Sequence, residues 1–380
     1  MTGLYIHVPF CMKRCVYCDF YFVTGQRDHN AFVEALCRDV HLSALNGASV
    51  GTIYFGGGTP SRLSIDNTAR IAAAISSAFD TSPVVEASIE LNPEDVTASY
   101  LQALKDMGFN RVSLGIQSFC DEDLQFMNRS HDARQANDAL ALVAEAGFAS
   151  FTADLIFGLP GQPASRWRAN LERLVSFDTP HISAYALTIE RKTPLHKLIA
   201  QGRVSPPPDD DVAALYQITM DTLRAYGFDH YEISSFARPG HRACHNQHYW
   251  THVNYLGFGP SAHSFLWEGA SEASRWYNVR SLRRYLSQIR DNEKAIGHRE
   301  TLALKTLASE RIMLGLRTAE GVDTELLRHR YNVDLAAVKR RDITALVEAG
   351  LMEHQEGFLR LTDHGKHVCD GIAVRLFQDL

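Results

Sequence analysis

The amino-acid sequence predicts an α/β fold that begins with six parallel strands and ends in a smaller domain of helices and a β-hairpin. Six short runs rich in β-branched and aromatic residues recur at 4–8, 52–58, 86–93, 111–118, 151–160 and 181–190. Segments with the helical spacing of apolar residues separate these runs, so the strands are expected to pair in parallel through right-handed crossovers. Such strands suit either a partial β/α barrel or a doubly wound open sheet, and both place ligand sites at the carboxyl ends of the strands.

Two changes in composition divide the chain into three predicted segments, 1–230, 231–300 and 301–380. The first segment contains the six strands, and PPPDDD within it excludes a helix interior before one further helix begins. The second segment is rich in aromatic residues and histidine, and we expect mostly strand and loop there. The third segment has helices, a hairpin at GLMEHQEGFLRLTDHG and a last helix, which is typical of a winged-helix-like domain. Because its acidic and basic residues balance, a packing or lid role is favoured over DNA binding.

Composition excludes several classes of protein. The chain has 45% hydrophobic and 22% charged residues and a formal net charge of −6, with no long run of one sign, which disfavours a nucleic-acid partner. The N-terminus MTGLYIHVPF lacks the features of a signal peptide, and no apolar run approaches membrane-spanning length. Seven cysteines, three of them clustered, indicate metal or redox chemistry in a reducing compartment. We therefore expect a cytoplasmic protein.

The clustered cysteines are Cys11, Cys15 and Cys18, directly after the first strand. Thiolates at this spacing can bind three corners of a four-iron cluster from one loop. The fourth iron then keeps an open coordination position, which leaves room for another molecule. The alternative is a closed zinc site completed by His7 or Asp19.

A glycine run, FGGGTPS at 55–61, ends the second strand. Glycines allow a backbone to approach a ligand closely and to expose its N–H groups, although a glycine run alone usually marks only a turn. Together, the cysteine loop and this strand end resemble the radical S-adenosylmethionine superfamily. The resemblance implies that S-adenosylmethionine binds the open iron and that the reduced cluster cleaves it to a 5′-deoxyadenosyl radical.

Further motifs extend the resemblance over nearly the whole chain. YIHVPFC, YFGGGTPS, SIELNP, SLGIQSF, MNRSHD, DLIFGLPGQ, ISAYALTIE and YEISSFA resemble the oxygen-independent coproporphyrinogen III oxidase branch of the superfamily. This implies a partial (β/α)6 TIM-like barrel with a C-terminal winged-helix-like α+β domain. The residues that it implies for S-adenosylmethionine are Tyr5, Tyr17, Gly57, Gly58, Thr59, Glu90, Gln117, Arg129 and Asp154. Arg129 suits a carboxylate, whereas Glu90 and Asp154 suit ammonium or ribose hydroxyl groups. The alternative for each is a polar residue at a barrel rim.

Two features distinguish subgroups of that branch. The oxidase has a further cysteine two residues after the third, where this chain has Phe20, and HNQHYW at 245–250 matches the H-N-x-x-Y-W motif of HemW-type heme chaperones. The motif implies a heme site that includes His245, Asn246, Tyr249 and Trp250, because histidine can ligate iron and aromatic rings can face a porphyrin. Cys244 adjoins the motif, but no C-x-x-C-H pair is present.

The alternative for HNQHYW is an aromatic core strand with two hydrogen-bonded histidines. A strand would point His245, the first candidate for the axial ligand, and His248, its reserve, to opposite faces.

The resemblance predicts a heme chaperone that binds heme, a [4Fe–4S] cluster and S-adenosylmethionine, and that transfers heme to apo-hemoproteins without coproporphyrinogen oxidase activity. The first alternative is an oxygen-independent coproporphyrinogen III oxidase, which removes propionate carboxylates by radical oxidative decarboxylation. The second is a winged-helix regulator that uses the cluster as a sensor.

Overall fold

The structure is a computed structural model that describes residues 1–25, 28–43, 48–378 and 380. The strands in chain order are β1 (Thr2–Val8), β2 (Phe10–Cys11), β3 (Val23–Thr24), β4 (Val50–Gly57), β5 (Glu86–Leu91), β6 (Arg111–Gln117), β7 (Ser150–Phe157), β8 (His181–Ala186), β9 (Asp229–Glu232), β10 (Ser235–Ala237), β11 (Tyr255–Phe258), β12 (His263–Trp267), β13 (Glu272–Asn278), β14 (Ile296–Ala303), β15 (Val322–Asp323), β16 (Met352–Gln355) and β17 (Phe358–Leu361). The α-helices are α1 (His29–Leu42), α2 (Ile65–Ala78), α3 (Ala98–Asp106), α4 (Asp121–Phe126), α5 (Ala133–Glu145), α6 (Ala164–Val175), α7 (Pro194–Ala200), α8 (Asp209–Ala225), α9 (Cys244–Trp250), α10 (Leu282–Arg290), α11 (Leu304–Leu316), α12 (Thr324–Tyr331), α13 (Leu335–Val338), α14 (Arg340–Glu348), α15 (Asp363–Lys366) and α16 (Cys369–Phe377).

One sheet of 12 strands organises most of the molecule, in the order β14-β13-β12-β11-β1-β4-β5-β6-β7-β8-β10-β9. The six predicted strands, β1 and β4 to β8, are all present and pair in parallel. The sheet ends at β14 on one side and at β9 on the other, so it is an open, partial barrel, and the predicted fold class is confirmed. The segment 231–300 contributes β11, which pairs in parallel with β1 as a seventh parallel strand.

The strands alternate between an apolar and a largely polar face. Leu4, Ile6 and Val8 of β1 are fully buried in the main core, as are Ile89 of β5 and Leu155 of β7. The residues between them point to the opposite, inner face of the barrel, because side chains alternate along a strand. The inner residues of β4 to β8 that matter below are Thr52, Tyr54, Glu90, Ser113, Asp154 and Tyr185. This alternation gives the barrel a polar interior.

The HNQHYW segment is a helix, α9, and the predicted strand is wrong. The first N–H groups of a helix lack partners within the helix. Here the N–H groups of Cys244 and His245 each donate to a carboxylate oxygen of Glu86, at 2.9 Å. Glu86 is the first residue of β5, so α9 lies across the amino-terminal end of the inner face. Positions one turn apart share a face of a helix, which places His245 and Tyr249 on the same side.

The C-terminal segment has its own small sheet, in the order β15-β17-β16, packed with helices α11 to α16. The predicted hairpin joins β16 to β17 through Glu356 and Gly357, whose φ values are 53° and 80°. Two-residue hairpin turns of this kind require positive φ at both positions. The core of this domain continues into Phe265 and Ala273 of the main sheet, so the domain packs on the antiparallel edge strands. No helix within the described ranges is long and apolar enough to span a membrane.

Candidate functional site

A cavity of about 600 Å³ lies at the carboxyl ends of the parallel strands. We call it the cluster cavity, and it is lined by the loop that contains the three cysteines and by the ends of β4 to β8. The site residues predicted from the sequence that line this cavity are Cys11, Cys15, Cys18, Tyr17, Gly57, Gly58, Thr59, Glu90, Gln117, Arg129 and Asp154. The structure therefore brings the three cysteines together with eight of the nine residues predicted for S-adenosylmethionine. Tyr5 is the exception and lines a second cavity.

The three cysteines are half-buried free thiols. The Thr59 hydroxyl donates to Cys11 Sγ and Arg129 Nη1 donates to Cys15 Sγ, both at 3.6 Å. Burial raises the pKa of Cys11 to about 11, because a thiolate is poorly solvated there. A cysteine that binds iron must therefore lose its thiol proton.

The donor set fits a four-iron cluster better than a single metal ion. Within the part of the chain that the structure describes, no three His, Cys, Asp or Glu side chains converge on one point. A zinc ion needs such convergence, whereas a cluster binds each thiolate through a different iron. His7, a ligand in the zinc alternative, is also engaged: its Nε2–H donates to the Tyr21 carbonyl at 2.9 Å, and its Nδ1 accepts from the Tyr5 hydroxyl at 3.1 Å.

Neighbouring protein atoms leave no room for a side chain on Gly57 and Gly58, at the end of β4. Gly57 has φ 109°, in the left-handed region, and a Cβ there would lie 2.6 Å from His7 Nδ1. A Cβ on Gly58 would lie 2.8 Å from the Pro9 carbonyl carbon. The Gly57 N–H already donates to Glu90 Oε2 at 3.2 Å. These glycines therefore let the strand end pack beneath the cysteine loop and hold Glu90 in place.

Glu90 and Asp154 form an acidic wall of the cluster cavity. Glu90 also accepts from the Tyr54 hydroxyl at 2.8 Å, and Asp154 accepts from the Ser113 hydroxyl at 3.0 Å. Burial raises the pKa of Glu90 to about 7 and that of Asp154 to about 6, and the hydrogen bonds oppose the shift only in part. A cationic or hydroxyl-bearing ligand would favour the ionised form of both carboxyl groups.

Among the described residues, Arg129 finds partners for some of its donors but not for Nε. Its Nη2 donates to Asn92 Oδ1 at 2.7 Å and to the Gly115 carbonyl at 2.9 Å. Its Nε is buried and has no hydrogen-bond partner among the described residues. A buried guanidinium N–H without a partner fits an anionic group such as a carboxylate.

Gln117 lies at the carboxyl end of β6 with φ 65°, an uncommon conformation for a residue with a side chain. Its side chain lines the cluster cavity. Backbone strain of this kind is concentrated at ligand sites, where the surrounding structure holds it in place.

Tyr54, Asn92 and Tyr185 also belong to this region and were not predicted from the sequence. Tyr54 binds Glu90 and stacks between Tyr5 and His245, with ring centroids 6.2 and 5.1 Å away. Asn92 and Tyr185 line the cluster cavity. Asn92 could have been predicted from the sequence, since it follows Glu90 by two positions and strand alternation keeps both residues on one face.

His245, the predicted axial ligand, is engaged at both ring nitrogens. Nδ1 lies 2.9 Å from the Thr52 hydroxyl and Nε2 lies 2.8 Å from the Tyr249 hydroxyl. The side chain is buried, and burial lowers its pKa to about 3, so the ring is neutral. His248 is half-buried, with Nδ1 3.3 Å from the same threonine. The described conformation thus shows the two hydrogen-bonded histidines of the alternative interpretation, on a helix.

The remaining motif residues face different neighbours. The Trp250 carbonyl accepts from Arg311 Nη1 of α11 at 2.6 Å, and the Arg317 guanidinium lies 5.9 Å from the indole centroid. Asn246 is half-buried. Tyr249 lines the second cavity, which has a volume of about 370 Å³. We call this second space the tyrosine cavity, and it is lined by Tyr5, His7, Asp19, Phe20, Tyr21, Tyr249, Tyr255, Ser261, His263 and Arg280.

Comparisons with known proteins agree with this architecture. The family model described as the radical SAM superfamily matches residues 5–174, and the HemN C-terminal domain matches residues 302–368. The heme chaperone HemW of Bacillus subtilis is 34% identical over 96% of this chain and 96% of its own length. The heme chaperone HemW of Synechocystis is 36% identical over 84% of this chain and 79% of its own length.

A solved structure shows the same fold. Coproporphyrinogen III oxidase (HemN) from Escherichia coli superposes with a TM-score of 0.84 over 100% of this chain and 90% of its own, at 24% identity. At that identity the likeness concerns the fold and leaves the activity open.

Proposed function

Because this chain belongs to the HemW heme-chaperone family of the radical S-adenosylmethionine superfamily, we propose that it binds heme beside a [4Fe–4S] cluster and S-adenosylmethionine and passes the heme to apo-hemoproteins. One observation carries the proposal: two cavities adjoin at Asp19 and Phe20, and one contains the cysteines while the other is lined mostly by aromatic side chains. A cofactor and a flat apolar cargo can therefore occupy neighbouring spaces.

In the cluster cavity, Cys11, Cys15 and Cys18 would hold the cluster. The free Nε–H of Arg129 suits the carboxylate of S-adenosylmethionine, and the acidic wall suits its ammonium or ribose hydroxyl groups. When bound, the two cofactors supply one-electron cleavage chemistry. The chain's own part is to exclude water, to neutralise the carboxylate and to keep Glu90 and Asp154 beside the ligand.

Phe20 separates this proposal from the oxidase alternative. It stands where the oxidase pattern has a cysteine, and 71% of its surface is exposed between the two cavities. An apolar ring at that position can contact a porphyrin but cannot bind iron or supply a thiol. We therefore propose that coproporphyrinogen is not oxidised.

The test compares heme transfer with turnover. The cluster-reconstituted chain, loaded with heme under anaerobic conditions, is mixed with the apo form of a heme enzyme from the same cells. Transfer followed at the Soret band should saturate with acceptor concentration and should be faster than heme loss to excess apomyoglobin, since contact between the partners speeds release.

The oxidase alternative has its own result. Repeated turnover of coproporphyrinogen to protoporphyrinogen in the presence of S-adenosylmethionine and reductant would replace the chaperone proposal. Transfer no faster than spontaneous heme loss would also contradict it.

A cytoplasmic location, where the three thiols stay reduced, is part of the proposal.

A further inference from the structure

The tyrosine cavity is lined by two histidines, His7 and His263. His263 is the first residue of β12, and its exposed side chain lines the cavity. Neither ring nitrogen makes a hydrogen bond within the described residues, whereas both nitrogens of His7, the other histidine of this cavity, are engaged. A ring nitrogen without a hydrogen-bond partner can bind a metal.

Three tyrosine hydroxyl groups of the cavity are poorer ligands for iron. Tyr21 accepts from the Leu282 N–H at 2.6 Å, and Tyr249 is hydrogen-bonded to His245. Burial raises the pKa of Tyr255 to about 12, so its hydroxyl stays protonated. His263 is therefore a better ligand for iron than these hydroxyl groups.

The walls of the cavity suit a flat aromatic molecule with a negative edge. Tyr249 and Tyr255 pack edge to face, with ring centroids 4.8 Å apart, and Tyr5 and Phe20 complete an aromatic surface. Arg280 is exposed at the rim and donates to the Asp19 carbonyl at 3.3 Å, which leaves other guanidinium donors for an anion. The exposed Phe20 ring extends this surface beyond the cavity.

We propose that heme lies in the tyrosine cavity, with His263 as the axial ligand of its iron and Arg280 bound to a propionate. The inference rests on the proposed function, but it moves the axial ligand of the heme from His245 to His263. Tyr249 then contacts the porphyrin, and His245 acts as a positioning residue that holds the Tyr249 hydroxyl. A ligand from an exposed strand end leaves one face of the heme open. An acceptor protein can then offer its own ligand before His263 dissociates.

The first experiment titrates ferric heme into the cluster-reconstituted protein and follows the Soret band. His263→Ala should shift the band and weaken binding by about tenfold or more, which corresponds to about 1.4 kcal/mol. Added imidazole should restore the wild-type band in that variant, because it can replace the missing ligand. His298→Ala is the matched control, since His298 is an exposed histidine of β14 and should behave as wild type.

The second experiment tests the propionate contact. Wild type should bind heme more tightly than heme dimethyl ester, and Arg280→Gln should remove that difference without moving the Soret band. Arg283→Gln, an exposed arginine of α10, should leave the difference intact.

Two results would overturn the site. A Soret shift in His248→Ala but not in His263→Ala would place the ligand on α9. Binding that is unchanged in both His263→Ala and Arg280→Gln would show that heme lies elsewhere. In both cases wild type still binds heme and the proposed function stands, whereas a wild-type protein that binds no heme would disprove both proposals.

Discussion

Each cysteine of the loop at 11–18 faces the cluster cavity, whereas the other four belong to separate elements of the fold. Cys37 lies in α1 with its Sγ 3.6 Å from the Arg70 carbonyl, Cys120 precedes α4, Cys244 begins α9 and Cys369 begins α16. Only the loop cysteines have neighbours at ligand spacing. Mutation of a loop cysteine and mutation of one of the other four should therefore have different effects on the cluster.

We predict that replacing Cys11, Cys15 or Cys18 by Ser removes the cluster, because a hydroxyl is a poor ligand for iron–sulfur clusters. Iron and acid-labile sulfide should both fall to background after anaerobic reconstitution. Cys37→Ser is the control and should retain both. A Cys37→Ser protein that lost its cluster as fully as Cys15→Ser would refute the three-ligand assignment.

A second prediction concerns Glu90. Glu90→Gln keeps the size of the side chain but removes the charge that faces the cavity, so S-adenosylmethionine should bind about 10-fold to 100-fold more weakly. Equilibrium binding to the reconstituted protein measures this loss, and the cluster absorbance should be unchanged. Glu172→Gln, an exposed residue of α6, should bind as wild type does. Equal affinities in the two variants would exclude Glu90 from the ligand site.

Among the secondary-structure elements, α1 packs on the barrel through apolar side chains and also carries one buried carboxyl group, that of Asp39. The Tyr285 hydroxyl of α10 donates to Asp39 Oδ2 at 2.8 Å, and the Gly259 N–H beyond β11 donates to the same oxygen at 3.5 Å. Burial raises the pKa of Asp39 to about 6 from 3.8, although both hydrogen bonds oppose the shift. Asp39 thus links α1 to α10 and to the segment that follows β11, and its protonation state changes near pH 6.

This raised pKa predicts the sign of a pH effect on stability. The folded state binds the proton of Asp39 more tightly, so this group's contribution is greatest in acid and is lost as pH rises through about 6. From pH 5 to pH 7, the free energy of unfolding of wild type should fall by about 1 kcal/mol relative to Asp39→Asn. Urea denaturation at the two pH values measures the difference, with the exposed Glu34→Gln of α1 as control. A difference that is independent of pH would contradict a raised pKa.

Over the whole molecule, α9 connects the barrel to the C-terminal domain. Its first N–H groups bind Glu86 inside the barrel, and its last carbonyl, on Trp250, binds Arg311 of α11. Burial lowers the pKa of Arg311, since a charge there is partly desolvated. The same short helix also presents Tyr249 to the tyrosine cavity. Docking of the C-terminal domain and the shape of that cavity are therefore connected.

We predict that Arg311→Met loosens the C-terminal domain, because the carbonyl of the half-buried Trp250 loses a charged donor. The cost should be about 2 kcal/mol of stability, and limited proteolysis should release the segment 301–380 faster than in wild type. Arg341→Met, at an exposed position of α14, should cleave at the wild-type rate. Unchanged protection in Arg311→Met would mean that the core between the domains suffices for docking.

Local sequence patterns predicted the six parallel strands and the hairpin of the last domain, and the family resemblance predicted most of the residues that line the cluster cavity. These features depend on local patterns: alternation along a strand, turn residues, and motifs that follow consecutive strand ends. Parallel strands then bring those ends together without further information. Glu90 and Asp154 were predicted from the family resemblance, on motifs that follow consecutive strand ends.

Contacts between distant segments fix the helical form of the HNQHYW segment, the seventh parallel strand and the set of residues that line the tyrosine cavity. HNQHYW is a helix because Glu86, distant in sequence, binds its first N–H groups. Tyr5 and His263 share a cavity because β11 pairs with both β1 and β12. Such contacts join residues that no local period relates, so the free energy of long-range packing outweighed the pattern within each segment.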